Sequence, residues 1–172
     1  MVFKLIMGAV LIASTSMIGF ALAADSAKRP RTLRELQALL QMFENEISYL
    51  SNLLSDAFMR IFEGTNSQAA ILFRAAAENL SVNGVTADEA WEKAVNENYS
   101  KLSLNKEDKS ILLTFGKMLG NSDLEGQLNN IKLISAQLKL QEAKAEEMKR
   151  KNEKMYRSLG ILSGLAITII LF

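Results

Sequence analysis

The chain has 172 residues, 49% of them hydrophobic, and its 20 basic residues are offset by 19 acidic ones to leave a net charge of +1. This balance gives no support for nucleic-acid binding, which requires an excess or a clear patch of Lys and Arg. The absence of cysteine and histidine excludes disulfides, thiolate metal sites and the commonest general base. No nucleotide-binding or nucleophile motif is found, so we expect neither an enzyme nor a bound cofactor or metal.

The first predicted element is an apolar run from Phe3 to Ala24 whose only charge is Lys4. As a helix this run reaches about 33 Å, which is enough to cross a bilayer core. Four basic residues follow between positions 28 and 34, and positive charge holds the flank of a span in the cytoplasm. We therefore expect a retained transmembrane helix over residues 3–24. The alternative is an exported domain whose signal peptide is cut after Ala23, where the small-x-small pattern ends.

A second apolar run, from Tyr156 to Phe172, closes the sequence and spans about 25 Å as a helix. A second basic cluster, residues 149–157, stands at its start. Because both basic clusters flank the middle segment, we predict that this segment is cytoplasmic and that both termini lie outside. The clusters are expected to contact anionic lipid headgroups. The predicted location is therefore the cell membrane, crossed by two helices.

The middle segment, residues 25–140, is predicted to be helical, because its apolar residues recur at alternating steps of three and four. The only proline, Pro30, stands just before the first helix, where its fixed φ suits a helix start. Later helix boundaries are indicated by glycines and capping boxes. The predicted helices run to about Leu50, from Leu54 to Gly64, from Ser67 to Leu80, after the Thr86–Glu89 capping box, and from Asn105 to Gly120.

From Asp123 onward no strong helix breaker stands before the end of the chain. One helix of about 75 Å is therefore predicted, continuous with the membrane segment at 156–172. Its polar part, residues 141–155, is interpreted as a stalk, either bridging solvent or held by charge pairs such as those of Glu142 and Glu146 with Arg150. The predicted fold class is all-α, with about six bundled helices between two transmembrane helices.

Several residues have both a structural and a functional interpretation. Trp91 lies on an apolar helix face and is predicted to be a core residue, with a binding anchor as the alternative. Two small-residue pairs, Gly160 with Gly164 and Gly19 with Ala23, have the spacing that brings membrane helices close. Glycine is also common in such helices, so helix packing and simple composition both remain open for these pairs.

The turns are the other candidate sites. The loop after the fifth predicted helix is a candidate partner interface, although stop and cap chemistry explains Gly120 and Ser122 without any partner. A loop set by caps still carries function in many proteins. The candidate interface residues are Gly84, Gly120, Asn121, Ser122 and Asp123.

Four segments of the sequence carry a resemblance to a known family. They are the Arg-Pro-Arg segment at 29–31, the Gly84 turn before Ala90-Trp91, the stretch FGKMLGNSDLEGQL and the ending KNEKMYRSLGILSGL. With them the chain resembles, over essentially its whole length, the stage III sporulation protein AB family of endospore-forming bacteria. The match in the last two segments is specific.

The resemblance implies that the cytoplasmic domain is an antiparallel helical bundle, similar to that of the inner-membrane platform protein of type II secretion and type IV pilus machines. It implies an anchor in the mother-cell membrane around the forespore. The implied partners are a secretion-type ATPase, stage III sporulation protein AA, together with channel-forming stage III sporulation proteins and membrane lipid, but no nucleic acid. No oligomeric state is implied. A passive membrane scaffold without a motor partner is the alternative function that the residues permit equally well.

Overall fold

The periodic apolar residues of the sequence form helices throughout the computed structural model, which describes residues 2–49, 53–119 and 124–171. Over these ranges the chain is all-α and contains no strand, as predicted. The helices are α1 Val2–Asp25, α2 Lys28–Tyr49, α3 Leu54–Glu63, α4 Ile71–Leu80, α5 Ala87–Asn98, α6 Lys106–Met118 and α7 Leu124–Leu171. Short 3₁₀ turns, Gln68–Ala70 and Tyr99–Leu102, precede α4 and follow α5.

The chain divides into two compact units. The domain unit is Arg29–Ala143, and the helix-pair unit joins Met1–Lys28 to Lys144–Phe172. Helix α7 belongs to both, because its first part lies in the domain unit and the rest in the helix-pair unit. The boundary after Ala143 falls within the segment 141–155 that the sequence suggests as a stalk.

Helix ends follow the predicted cap chemistry at several places. Glu89 accepts a hydrogen bond from the Thr86 backbone N–H at 3.1 Å, which completes the predicted capping box of α5. Helix α3 stops at Gly64, as expected. The predicted position of Pro30 is wrong by a few residues, because α2 already begins at Lys28. Proline is tolerated there because the first-turn N–H groups of a helix have no partner within the helix.

The core of the domain unit is built from aromatic side chains of five helices. Helix α4 packs against α3 and α5, and α5 packs against α6. Neighbouring ring centroids lie 5.0 to 6.4 Å apart, many of them edge to face, which is the favourable arrangement for aromatic pairs. The rings, all under 2% exposed, are Phe43, Phe58, Phe73, Trp91 and Phe115.

The start of the predicted stalk packs on the domain unit instead of bridging solvent. Gln141 is 8% exposed. Glu142 accepts hydrogen bonds from Arg34 at 2.5 Å and from Gln37 at 2.9 Å, both on α2. The predicted pairing of Glu142 with Arg150 is therefore wrong, because the carboxylate faces a neighbouring helix and not the next turns of its own.

The helix-pair unit brings the two apolar segments together in antiparallel orientation. Gly19 lies against Gly160, while Gly8, nearer the start of α1, lies against Thr168, nearer the end of α7. Within the described part of the chain, no helix has both the length and the apolar character that crossing a membrane requires. The transmembrane spans expected at 3–24 and 156–172 stay a prediction.

Candidate functional site

A seam of small residues joins α1 to the end of α7 inside the helix-pair unit. Gly19, Ala23, Gly160 and Gly164 are all buried in it. A Cβ atom placed on Gly19 would lie 2.6 Å from the backbone oxygen of Tyr156, and one on Gly160 would lie 3.0 Å from that of Thr15. Neither helix has room for a larger side chain here, because backbone faces backbone.

The seam extends further along α1 than the two predicted pairs. Gly8 is buried, and a Cβ on it would lie 2.9 Å from the Thr168 methyl group. A Cβ on Gly164 would meet the Thr15 hydroxyl. The sequence contains a signal for this longer seam, because Gly8, Thr15 and Gly19 fall on one helical face at steps of seven and four. Sequence reasoning that stopped at four-residue spacings missed Gly8.

A buried ion pair lies at the end of the domain unit where the chain enters at Arg29 and leaves after Gln141. This end is called the base of the domain unit. Arg29, on the first turn of α2, donates from Nε to Asp108 Oδ2 at 2.7 Å and from Nη2 to Oδ1 at 2.8 Å. Asp108 is fully buried, and its Oδ2 also accepts the Asn105 backbone N–H at 3.0 Å. This two-point geometry is the strong, directional form of an Arg–carboxylate contact.

Helix α7 is tied to the same pair. Gln141 Oε1 accepts from Arg29 at 3.0 Å, and Gln141 Nε2 donates to Glu107 at 3.0 Å. The hydrogen bond to Asp108 raises the pKa of Arg29 above its ordinary value, against the opposing effect of burial. Arg29, at the start of the domain unit, and Gln141, near its end, are thus hydrogen-bonded to each other and to acids of α6. The spacing of residues in the sequence did not indicate this contact.

The four basic residues of the cluster at 28–34 all form ion pairs with carboxylates of this chain. Lys28 pairs with Asp25 at 2.7 Å, Arg31 with Glu35 at 3.0 Å, and Arg34 with Glu142. The Arg29 side chain is only 15% exposed, whereas that of Arg31 is 81% exposed. Arg29, expected to contact headgroups, therefore binds inside the domain unit instead, because its Nε and Nη2 atoms already donate hydrogen bonds to Asp108 and Gln141.

The predicted turn and loop residues divide into described and undescribed positions. Gly84 has φ +85, and no atom lies within 4 Å of a Cβ placed on it. The backbone alone therefore accounts for glycine at this position. Gly120, Asn121, Ser122 and Asp123 lie outside the described residues. Trp91 is fully buried, so its core interpretation is confirmed and its role as a binding anchor is wrong.

We predict that Gly160→Leu will separate the two helices of the seam, because the new side chain has no space beside Thr15 and Gly19. The reporter is a pair of cysteines replacing Ser26 and Asn152, whose side chains lie 3.4 Å apart. The chain has no native cysteine, so copper-catalysed disulfide formation reports this contact alone. Crosslinking should fall severalfold with Gly160→Leu and stay unchanged with Ser158→Leu, an exposed position of the same helix. Equal crosslinking in both variants would contradict the seam.

Comparison with known proteins agrees with the resemblance seen in the sequence. The family model described as Stage III sporulation protein AB matches residues 4–172. The chain is 36% identical over 168 residues to Stage III sporulation protein AB of Bacillus subtilis (strain 168), covering 98% of each sequence. A solved structure described as Stage III sporulation protein AB has a TM-score of 0.67 and 34% identity, covering 72% of this chain and 98% of the other.

Proposed function

Because the chain belongs to the stage III sporulation protein AB family and so has a role in sporulation, we propose that it is a membrane-anchored platform subunit. In this role it links a secretion-type ATPase in the cytoplasm, stage III sporulation protein AA, to channel proteins of the stage III sporulation group. The helix-pair unit is the anchor in the mother-cell membrane around the forespore, and the domain unit is the cytoplasmic part.

The observation that carries the proposal is the apolar outer surface of the helix-pair unit. Its seam consists of small residues, while large apolar side chains point away from the seam. A soluble protein rarely exposes so much contiguous apolar surface unless something covers it, and lipid is the cover we propose. The outward side chains, each at least 48% exposed, include Val10, Met17, Leu162, Leu165, Ile169 and Ile170.

Helix α7 is the part we propose as the link between the ATPase and the membrane. A helix transmits position along its length, whereas a flexible linker does not. The Arg29–Asp108 pair and Gln141 stiffen the base of the domain unit, because they tie the α2 and α7 turns at that base to α6. For partner contact we propose the loop from Gly120 to Asp123.

We predict that replacing Glu147–Arg150 with Gly-Ser-Gly-Ser will abolish spore formation, because it removes the stiffness of α7 at this point. The four residues are largely exposed, and the replacement spares Glu142 with its bonds to α2. Four alanines at the same positions are the matched control: they remove the same side chains but keep the helix. Spore counts after heat treatment, membrane fractionation and co-purification of the ATPase are measured for each variant.

The flexible variant should stay in the membrane fraction and keep the ATPase while making no spores, and the alanine variant should sporulate. Normal sporulation of the flexible variant would reject the rigid link. Failure of the unaltered chain to co-purify the ATPase would favour the passive scaffold. A mature protein that begins after Ala23 would instead favour the exported domain with a C-terminal anchor.

A further inference from the structure

Helix α7 carries an apolar row on the solvent side of the domain unit. Leu133 and Leu140 are 49% and 66% exposed, and Ala136 and Ala143 between and after them are also exposed. The steps of three, four and three place all four side chains within a narrow arc, about 15 Å long. The core side of the same helix is formed by different residues, Ile131, Ile134 and Leu138, all buried. The row is therefore a second apolar face.

This outer row has the spacing of coiled-coil a and d positions. Lys132 and Lys139 then occupy the two g positions, next to the leucines, and Gln137 occupies an e position. The Lys132 side chain is 65% exposed, and its Nζ lies 3.9 Å from Glu44, at the outer limit of an ion pair. Lys139 is also exposed. The flank of the row is thus basic and accessible.

Few acids offset this charge on α7. Within residues 124–143 the acids are Glu125 and Glu142. Glu142 is bonded to Arg34 and Gln37 on α2, and Glu125 lies seven residues before Lys132. Lys139 has no ion pair within the described part of the chain, and the 3.9 Å contact of the exposed Lys132 with Glu44 is long. Both lysines can therefore reach carboxylates of another protein.

Charge argues against a second copy of this chain as the occupant. In an antiparallel pair of α7 helices, Lys132 of one copy meets Lys139 of the other, which is repulsive. In a parallel pair, Lys132 faces the neutral Gln137 and gains no ion pair. Neither arrangement supplies an opposite charge, whereas a helix with Glu or Asp at its e and g positions satisfies both lysines.

We propose that the outer face of α7, formed by Leu133, Ala136, Leu140 and Ala143 with Lys132 and Lys139, binds an amphipathic acidic helix of another protein. The leucines bury against the apolar a and d residues of that helix, and the lysines pair with its carboxylates. This surface lies within the domain unit. The proposal goes beyond the platform function, because it does not depend on whether the acidic helix is part of the ATPase or of another protein.

The probe is a labelled synthetic peptide of three heptads with leucine at a and d and glutamate at e and g. A second peptide has lysine at e and g. Fluorescence anisotropy is measured with the full chain in detergent. We expect the glutamate peptide to bind at least about tenfold more tightly than the lysine peptide, and its affinity to fall with salt.

Two variants and one control test the assignment to this face. Lys132→Glu with Lys139→Glu should reverse the preference, so that the lysine peptide becomes the tighter ligand. Leu133→Ala with Leu140→Ala should lower the binding affinity for both peptides about tenfold. Val82→Asp, at a 57% exposed apolar position outside α7, should change neither. Because all these positions are exposed, each variant is expected to keep its helical circular dichroism signal and thermal midpoint.

Equal affinity for the two peptides, or a preference that survives the charge reversal, would overturn the proposal. Light scattering tests the second copy as occupant. If the unaltered chain is a dimer that becomes a monomer with Leu133→Ala and Leu140→Ala, this face joins two copies and the proposal fails. A monomer that binds the glutamate peptide supports it.

Discussion

Asp108→Asn should lower the free energy of unfolding of the domain unit by about 3 to 5 kcal/mol, because it leaves the largely buried Arg29 guanidinium without its counter-charge. Both hydrogen bonds from Arg29, at 2.7 and 2.8 Å, end on this carboxylate. The capping bond to the Asn105 N–H is weakened by the same change. Urea denaturation of residues 29–143, followed by circular dichroism, measures the loss.

A double variant separates the ion pair from its surroundings. Arg29→Met with Asp108→Leu removes both charges, and replacing a buried ion pair with apolar groups is often nearly neutral. We expect the double variant to be more stable than Asp108→Asn. It should still be about 1 kcal/mol less stable than the unaltered domain unit, because the capping bond to Asn105 is lost. A loss below about 1 kcal/mol for Asp108→Asn would mean that water reaches the pair and that Arg29 does not fasten the base of the domain unit.

Trp91→Ala should cost about 3 to 5 kcal/mol of unfolding free energy, because it opens a large cavity among aromatic rings. The indole is fully buried, and its Nε1 donates to the Leu112 backbone oxygen at 2.8 Å. The ring centroids of Phe115 and Phe73 lie 5.0 and 5.2 Å away. Trp91→Phe keeps most of the ring contact, so it should cost less, on the order of the lost hydrogen bond.

Gly116 provides an internal control for the position of Trp91. A Cβ on Gly116 would lie 2.6 Å from the indole Cδ1, so Gly116→Ala alone should destabilise by about 1 to 3 kcal/mol. In the Trp91→Ala background the same change has space and should stabilise α6 by about 1 kcal/mol, since alanine is the better helix former. The same sign in both backgrounds would contradict the packing of these two residues.

The local elements were predictable because their causes lie close together in the sequence. The capping box at Thr86 and the stop at Gly64 are set by residues within one turn of the helix end. The helical period of Leu36, Leu40 and Phe43 identifies α2 and its buried face in the same way. These features depend on neighbouring backbone groups, so no knowledge of the rest of the fold is needed.

The base of the domain unit was not predictable in this way. Arg29 meets its partner 79 residues later in the chain, and Asp108 is indistinguishable in the sequence from an ordinary helix-opening acid. Glu142 likewise pairs with Arg34 of α2, 108 residues earlier in the chain. The charged segment around Glu142 had instead suggested ion pairs within α7. Nothing in the spacing of charges identifies which of 19 acids reaches which of 20 cations.

The amino-acid sequence was enough to predict the all-α class, the order and most boundaries of the helices, the burial of Trp91 and the likeness to the stage III sporulation protein AB family. Each of these depends on short-range periodicity, caps or matching segments. The packed structure was needed to show that Arg29 belongs to the interior of the domain unit, that Gly8 joins the seam, and that α7 has a second apolar face. These depend on which helix faces lie against each other, and helix faces are matched by packing over the whole chain.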